Sequence, residues 1–402
     1  MNKLIHLLQG LAVKERYKSN HRNPFVWVFG EWFGEKCSDN SFYLANYIAM
    51  RHPEIKVYWA SKEHADISLL HKRINRIIFG TKQALSVYKV AGAIFMNQGL
   101  GDFSESGLDY FDGALKINLW HGVMWKRIGH DGSKKNNLFF SLYRKISDYT
   151  FGSNYYLALS EEYAKVCKSA FGARDQAIIR NGYPRNSIFY SKSELHKAKL
   201  QVIDILRKQT KHEWPYNTKI ITYMPTFRDK VSKVFSCEEF ESNKEFLQWL
   251  GDNNIVLLQK AHFITQQRNK NLLEQKKTKR IFQFDDIPSQ TLLAATDLLI
   301  TDYSSCFFDF LLLDRPIIHF LYDYDYYKNK DRGLYYDSEN VVCGDIAGDK
   351  NQLVKLIMQN ISNPTKRHEL RESRKEKYMT YETSNSCENI CSEVFNLLNV
   401  RN

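Results

Sequence analysis

Short apolar runs, each closed by a glycine or a polar residue, alternate along this chain with segments whose apolar positions recur at helical spacing. The first series of strand-like runs is Pro24–Gly30, Ile55–Ser61, Arg76–Gly80, Ala91–Gln98, Leu115–Gly122, Tyr155–Ser160 and Ala177–Pro184. Helix-like segments such as Asp39–His52 lie between them, and a polar, lysine-rich helical stretch follows at Lys192–Lys211. A second series then begins: Lys219–Arg228, Asn254–His262, Arg280–Phe284, Asp297–Thr301 and Pro316–Leu321. Apolar strands that alternate with helices predict parallel sheets covered on both faces. Two such series predict an α/β chain of two Rossmann-like domains, residues 1–195 and 196–402. No internal repeat and no low-complexity segment interrupts this pattern.

At 402 residues the chain is too long for one ordinary core, which agrees with two domains. An apolar content of 43% and a charged content of 25% are those of a globular protein. The 57 Lys and Arg against 45 Asp and Glu give a net charge of +12, a surface that attracts anions. The seven cysteines are scattered, odd in number and free of any CxxC, as expected of reduced thiols. The first residues carry a short apolar run without a cleavage-site pattern, so no signal peptide is expected. No run of 18 apolar residues exists, which leaves only peripheral contact with a membrane.

In open α/β sheets ligands bind beyond the carboxyl ends of the strands. Four strand ends carry suggestive residues. Asp302-Tyr303-Ser304-Ser305 joins an apolar strand to an apolar helix, where hydroxyls, backbone N–H groups and a helix dipole suit a phosphate. The same residues are also favoured helix caps. His121-Gly122 follows the run Leu115–Trp120, as a general base or as a structural histidine at a strand end. Thr226 and Arg228 follow another strand, as phosphate ligands or as an exposed loop with an ion pair to Asp229. Lys260 and His262 close the next, with a solvated loop as the plain alternative. No GxxxxGK[ST], GxGxxG, HExxH or GxSxG occurs. Asp323 and Asp325 are a two-carboxylate pattern, the only hint of a metal, and no metal site is expected.

Lys126–Phe151 mixes Lys126, Arg127, Lys134, Lys135, Arg144 and Lys145 with Leu138, Phe139, Leu142, Tyr143, Ile146 and Tyr149 at helical spacing. Such a segment either lies on an anionic membrane or faces its own core. The N-terminal Met1–Lys18 is a second candidate of this kind. Zinc-finger spacing and RNP-like aromatics are missing, so nucleic acid is not an expected partner.

The ordered motifs WHG…KRIG, RNGYPRN, PTFRD, a strand-end His, ITDYSS..FDF..L.RP and RGLYYD, with GEWFGEKCSDN near the start, resemble the CDP-glycerol glycerophosphotransferase family. The likeness runs from about residue 25 to about 360. It implies two facing Rossmann-like domains of GT-B type and a CDP-glycerol or CDP-ribitol donor held mainly by the C-terminal domain. It implies transfer of the alditol phosphate to a hydroxyl of a lipid-linked or polymeric, oligosaccharide-type acceptor, with release of CMP. The setting it implies is teichoic acid or capsular polymer synthesis at the cytoplasmic face of a bacterial membrane. By motif match, His121 stands as the base and Thr226, Arg228, His262, Asp302, Ser304 and Ser305 as donor ligands. Lys126 and Arg127 stand on the acceptor side, and no cofactor is implied. Two positions depart from the family pattern: Val123-Met124-Trp125 replaces Thr-Pro-Leu, and Phe263 replaces a proline. A GT-B glycosyltransferase using a UDP- or GDP-sugar is the alternative that the two-domain pattern fits equally well.

Overall fold

The structure is a computed structural model, and it describes residues 3–132, 138–226, 235–260, 280–285, 287–325 and 333–399. Arg228 and His262 lie outside the described residues. The chain divides into two compact units, one of residues 1–121, 128–187 and 379–402, the other of 122–127 and 188–378.

In the first unit seven parallel strands form one sheet in the order β3-β2-β1-β4-β5-β6-β7. They are β1 (Asn23–Phe29), β2 (Lys56–Ser61), β3 (Asn75–Ile78), β4 (Ala91–Met96), β5 (Leu115–Asn118), β6 (Tyr155–Ala158) and β7 (Ile178–Arg180). Every residue of β4 is buried, as a strand covered on both faces requires. Helices include α1 (Lys3–Tyr17), α2 (Asn40–Arg51), α3 (Lys82–Val90), α4 (Leu138–Phe151) and α5 (Glu161–Phe171). Ser160 caps α5 by accepting from the Tyr163 N–H, and Gly172 ends it at φ 66°.

The second unit holds the expected lysine-rich helix, α6 (Lys192–Thr210), capped by Ser191. Its sheet runs β10-β9-β8-β11-β12-β13, again parallel throughout. The strands are β8 (Lys219–Met224), β9 (Ile255–Gln259), β10 (Ile281–Gln283), β11 (Leu298–Thr301), β12 (Ile317–Phe320) and β13 (Asp345–Ala347). Alternate residues feed different cores: Ile221 packs with Leu257 and Ile300, whereas Ile220 packs with Val256 and Leu258 beneath α6. The expected α/β architecture of two parallel-sheet domains is therefore present. Both sheets reverse their strand order at the first strand, between β1 and β4 and between β8 and β11. These are the topological switch points where such folds bind ligands. All seven cysteines are free and buried.

Candidate active site

His121 follows β5 by way of Leu119 and Trp120. Trp120 lies at φ 55°, a conformation costing a bulky residue about 1–2 kcal/mol. The His121 ring stacks on Trp120 (centroids 4.4 Å apart) and lies 5.9 Å from the Trp32 ring. Its Nδ1 is 3.2 Å from the Asn97 carbonyl. A carbonyl only accepts, so Nδ1 carries a proton, and in the neutral ring the lone pair is then on Nε2, the tautomer of a general base.

Asn97 is itself fixed at the end of β4. Its N–H donates to Asp102 Oδ2 (2.9 Å), its Nδ2 to Glu31 Oε2 (3.4 Å), and its Oδ1 accepts from Ser41 Oγ (2.8 Å). Asp102 also accepts from the N–H groups of Gln98 (2.8 Å) and Phe33 (2.9 Å), while burial pushes its carboxyl up to about 6. Glu31 accepts from the N–H groups of Ser38, Asp39 and Phe42 at the start of α2. Burial, then the neighbouring Asp39, raises the Glu31 pKa well above the usual carboxylate range. Gly30 must be glycine here, because a Cβ would fall 2.3 Å from the Asp102 carbonyl.

The RNGYPRN segment closes the same cluster. Arg185 donates through Nη1 to Asp39 Oδ1 (2.7 Å) and to the His121 carbonyl (2.9 Å), and its N–H to Asn40 Oδ1 (3.2 Å). Asn40 Nδ2 in turn donates to the Trp120 carbonyl (2.9 Å). Three motifs far apart in sequence thus meet around one histidine at the carboxyl edge of the first sheet.

In the second unit Thr226 follows β8 and Asp302 follows β11, on the two sides of the switch point. The Thr226 N–H donates to Asp302 Oδ1 (2.8 Å), so this carboxylate ties the two strand-end loops together. Ser304 and Ser305 are half-buried. Ser305 occupies the cap position of the helix Cys306–Phe310, but its hydroxyl makes no capping bond. That helix is five residues long. The turn therefore offers hydroxyls and backbone N–H groups more than a macrodipole. Tyr303 beneath it is buried and donates to Asp323 Oδ1 (3.0 Å).

Residues 122–127 belong to this second unit. Trp125 is buried between Tyr303 and Phe307 (centroids 5.6 and 6.0 Å), and its Nε1 donates to the Tyr336 carbonyl (2.8 Å). Lys126 pairs with Leu334 in an isolated antiparallel bridge, and Arg127 Nε donates to the Leu334 carbonyl (3.2 Å). The KR of the WHG…KRIG motif is thus held by the GLYY of the last. Lys260 Nζ donates to the carbonyls of Asp285 and Ile287 (2.7 Å each), so it braces a loop.

Glu31, Asn97, Asp102, Arg185 and His319 escape a search for single catalytic letters. The signal that finds Glu31 and Asn97 is positional: polar residues just after β1 and β4, at the switch point. His319 lies on β12 opposite Thr301, with its Nε2 accepting from the Cys343 N–H (3.3 Å). Burial pushes it down to about 4, opposed by the backbone and the charge of Asp302, so it is neutral beneath the Asp302 turn. Among the described residues, Asp314, His368 and Glu372 could together face a cation. Asp314 already accepts from Arg371 Nε (2.8 Å) and contacts His368 Nδ1 (2.7 Å), which makes this an ion-pair cluster.

The family described as CDP-Glycerol:Poly(glycerophosphate) glycerophosphotransferase matches residues 16–396. This chain belongs to that family. Among its relatives is the teichoic acid glycerol-phosphate transferase of Staphylococcus aureus (strain NCTC 8325 / PS 47), 26% identical over 93% of both chains. Another is the teichoic acid poly(glycerol phosphate) polymerase of Bacillus subtilis (strain 168), 27% identical over 84% of this chain but only 44% of that protein. The fold matches that of the wall teichoic acid polymerase TagF, with a TM-score of 0.77 at 20% identity over 99% of this chain and 97% of that one. Membership gives the chain its chemistry, glycerophosphate transfer.

Proposed function

We propose that this chain transfers glycerol phosphate from CDP-glycerol to a hydroxyl of a lipid-linked or oligosaccharide acceptor. The observation that carries the reading is the buried network that fixes the His121 tautomer. Nε2 of His121 takes the proton as the acceptor oxygen attacks the phosphorus that bears glycerol. The bond from that phosphorus to the oxygen of CMP breaks, and CMP leaves with the bonding pair. Phosphoryl transfer asks for positioning and charge stabilisation more than covalent help. Thr226, Ser304, Ser305 and the backbone of the Asp302 turn supply hydrogen bonds to the donor's diphosphate, joined by Arg228 and His262 from the family motif. Lys126 and Arg127 serve the acceptor side. The product is a phosphodiester of glycerol and the acceptor, made at a membrane surface in teichoic acid or capsular polymer synthesis.

CMP release from CDP-glycerol or CDP-ribitol, measured across a panel of lipid-linked and oligosaccharide acceptors, tests this. His121→Ala is expected to lose turnover by a factor of at least ~100 while calorimetric affinity for CDP-glycerol is retained. Full activity in that variant removes His121 from its role. Thermal stabilisation by UDP but not by CMP or CDP would replace the reading with a sugar transferase.

A further inference from the structure

The carboxyl edge of β1 carries a turn that holding His121 does not require. Trp32, Phe33 and Gly34 lie in succession at φ 49°, 55° and 75°. The N–H groups of Gly34 and Glu35 donate to the carbonyls of Glu31 and Trp32 (2.9 and 3.0 Å). This is one turn of left-handed 3-10 helix, a shape that disfavours every residue with a Cβ. Only the third position is glycine.

Two side-chain acceptors hold it. Asp102 Oδ1 takes the Phe33 N–H (2.9 Å), and Gln98 Oε1 takes the Trp32 N–H (2.7 Å). Strain that is built in beside a reacting group points to a use. Core packing is not that use, because Phe33 is 52% exposed. Its ring rests against Gly101, where a Cβ would come within 3.1 Å of it. Trp32, half-buried, faces the His121 ring at 5.9 Å between centroids. The turn thus sets two aromatic side chains, one beside the proposed base, on a backbone that glycine would adopt more readily.

The electrostatics select the occupant. The basic side chains after β2 close on the turn's own carboxylate: Lys62 Nζ and His64 Nε2 lie 2.6 and 2.7 Å from Glu35. What the turn presents is aromatic surface rather than an unpaired charge, which suits a neutral ring better than a phosphate. The C–H face of a pyranose is apolar and weakly positive, and it complements the negative face of an aromatic ring. We propose that Trp32 and Phe33 form a stacking platform for a pyranose ring of the acceptor, which delivers that ring's hydroxyl to His121. This rests on the transferase reading above.

The test is calorimetric titration of the whole chain with octyl pyranosides (gluco, galacto, manno and their 2-acetamido forms), kept below micelle formation. Octyl-linked glycerol is the ring-free control. Phe33→Gly is the informative variant, because glycine is at home at φ 55° and its melting temperature is expected to equal or exceed the parent's. At least one pyranoside is expected to bind the parent, and Phe33→Gly is expected to weaken it ~10-fold without changing binding of the control. No pyranoside binding, equal binding by the variant, or equal weakening of the ring-free control overturns the proposal. CDP-glycerol binding and CMP release score the transferase reading separately, since neither needs a ring on the acceptor.

Discussion

His319 shows how a single buried side chain couples the donor-side turn to pH. Its ring packs edge-on against Phe307 (4.8 Å between centroids), and its Nε2 accepts from the Cys343 N–H, so the native state holds it neutral. Its pKa is about 4 in the fold against 6.5 in an unfolded chain. Between those values the unfolded chain binds a proton that the native one refuses. Stability is therefore intact above about pH 6.5 and declines as pH falls towards 4, by up to about 3 kcal/mol from this group. His319→Gln is expected to flatten that decline in urea midpoints measured from pH 7 to pH 4.5. A variant with the same slope as the parent would show that other groups control it. Residues of this kind were not legible in the sequence: "PIIHFL" announces a buried strand, but not what its one polar member faces. The positions of His121 and Asp302 were legible, because they stand at strand ends where apolar runs stop.

At the scale of elements, the apolar runs located twelve of the strands with ends displaced by a few residues. The exception was β13, whose three residues, one of them exposed, are too short to make a run. The loops were harder. Nothing in the pattern says that a carboxyl group at the end of β1 organises the start of α2, yet Glu31 accepts three N–H groups there and contacts Asn97 Nδ2. Removing it strands buried donors, each worth about 1–3 kcal/mol. Glu31→Ala is expected to lower stability by about 3–5 kcal/mol, since it breaks a buried network from one side. It should also lower kcat, because Asn97 holds the proton-bearing nitrogen of His121. Glu31→Gln keeps one acceptor oxygen and should fall between. Denaturant midpoints together with kcat check this, and an alanine variant as stable as the parent would refute it.

For the whole molecule, the charge of +12 and the helices α1 and α4 bear on where the enzyme works. Among the described residues no helix is long and apolar enough to cross a membrane. The sequence left open whether the basic amphipathic segments face a core or a lipid surface. In the first unit α1 packs on α4 through His6, stacked on Phe151 at 5.1 Å, and through Gly10, where a Cβ would fall 2.6 Å from that ring. Lys14 Nζ donates to the Tyr149 carbonyl (2.6 Å) and lies 3.4 Å from Asp112, pinning the pair to its sheet. With those contacts made, Leu4, Ile5 and Leu8 on α1 and Leu142 and Tyr149 on α4 still stand more than half or half exposed. Exposed Lys3, Arg16, Lys18 and Lys145 accompany them. Apolar side chains left over after a helix pair has packed, set among cations, fit the interface of an anionic bilayer. Each nearby cation adds about 1 kcal/mol at such a surface, and the contribution fades as salt shortens the Debye length to about 3 Å near 1 M. The protein is expected to float with anionic vesicles at low salt, to float less at high salt, and to lose most binding in Leu4→Ser/Ile5→Ser/Leu8→Ser. CMP release with a water-soluble acceptor should survive those changes, because the contacts that fix His121 come from Asn97, Trp120, Trp32 and Arg185 and not from these three side chains. A protein that stays at the bottom of the gradient at low salt would rule out a membrane role for this face.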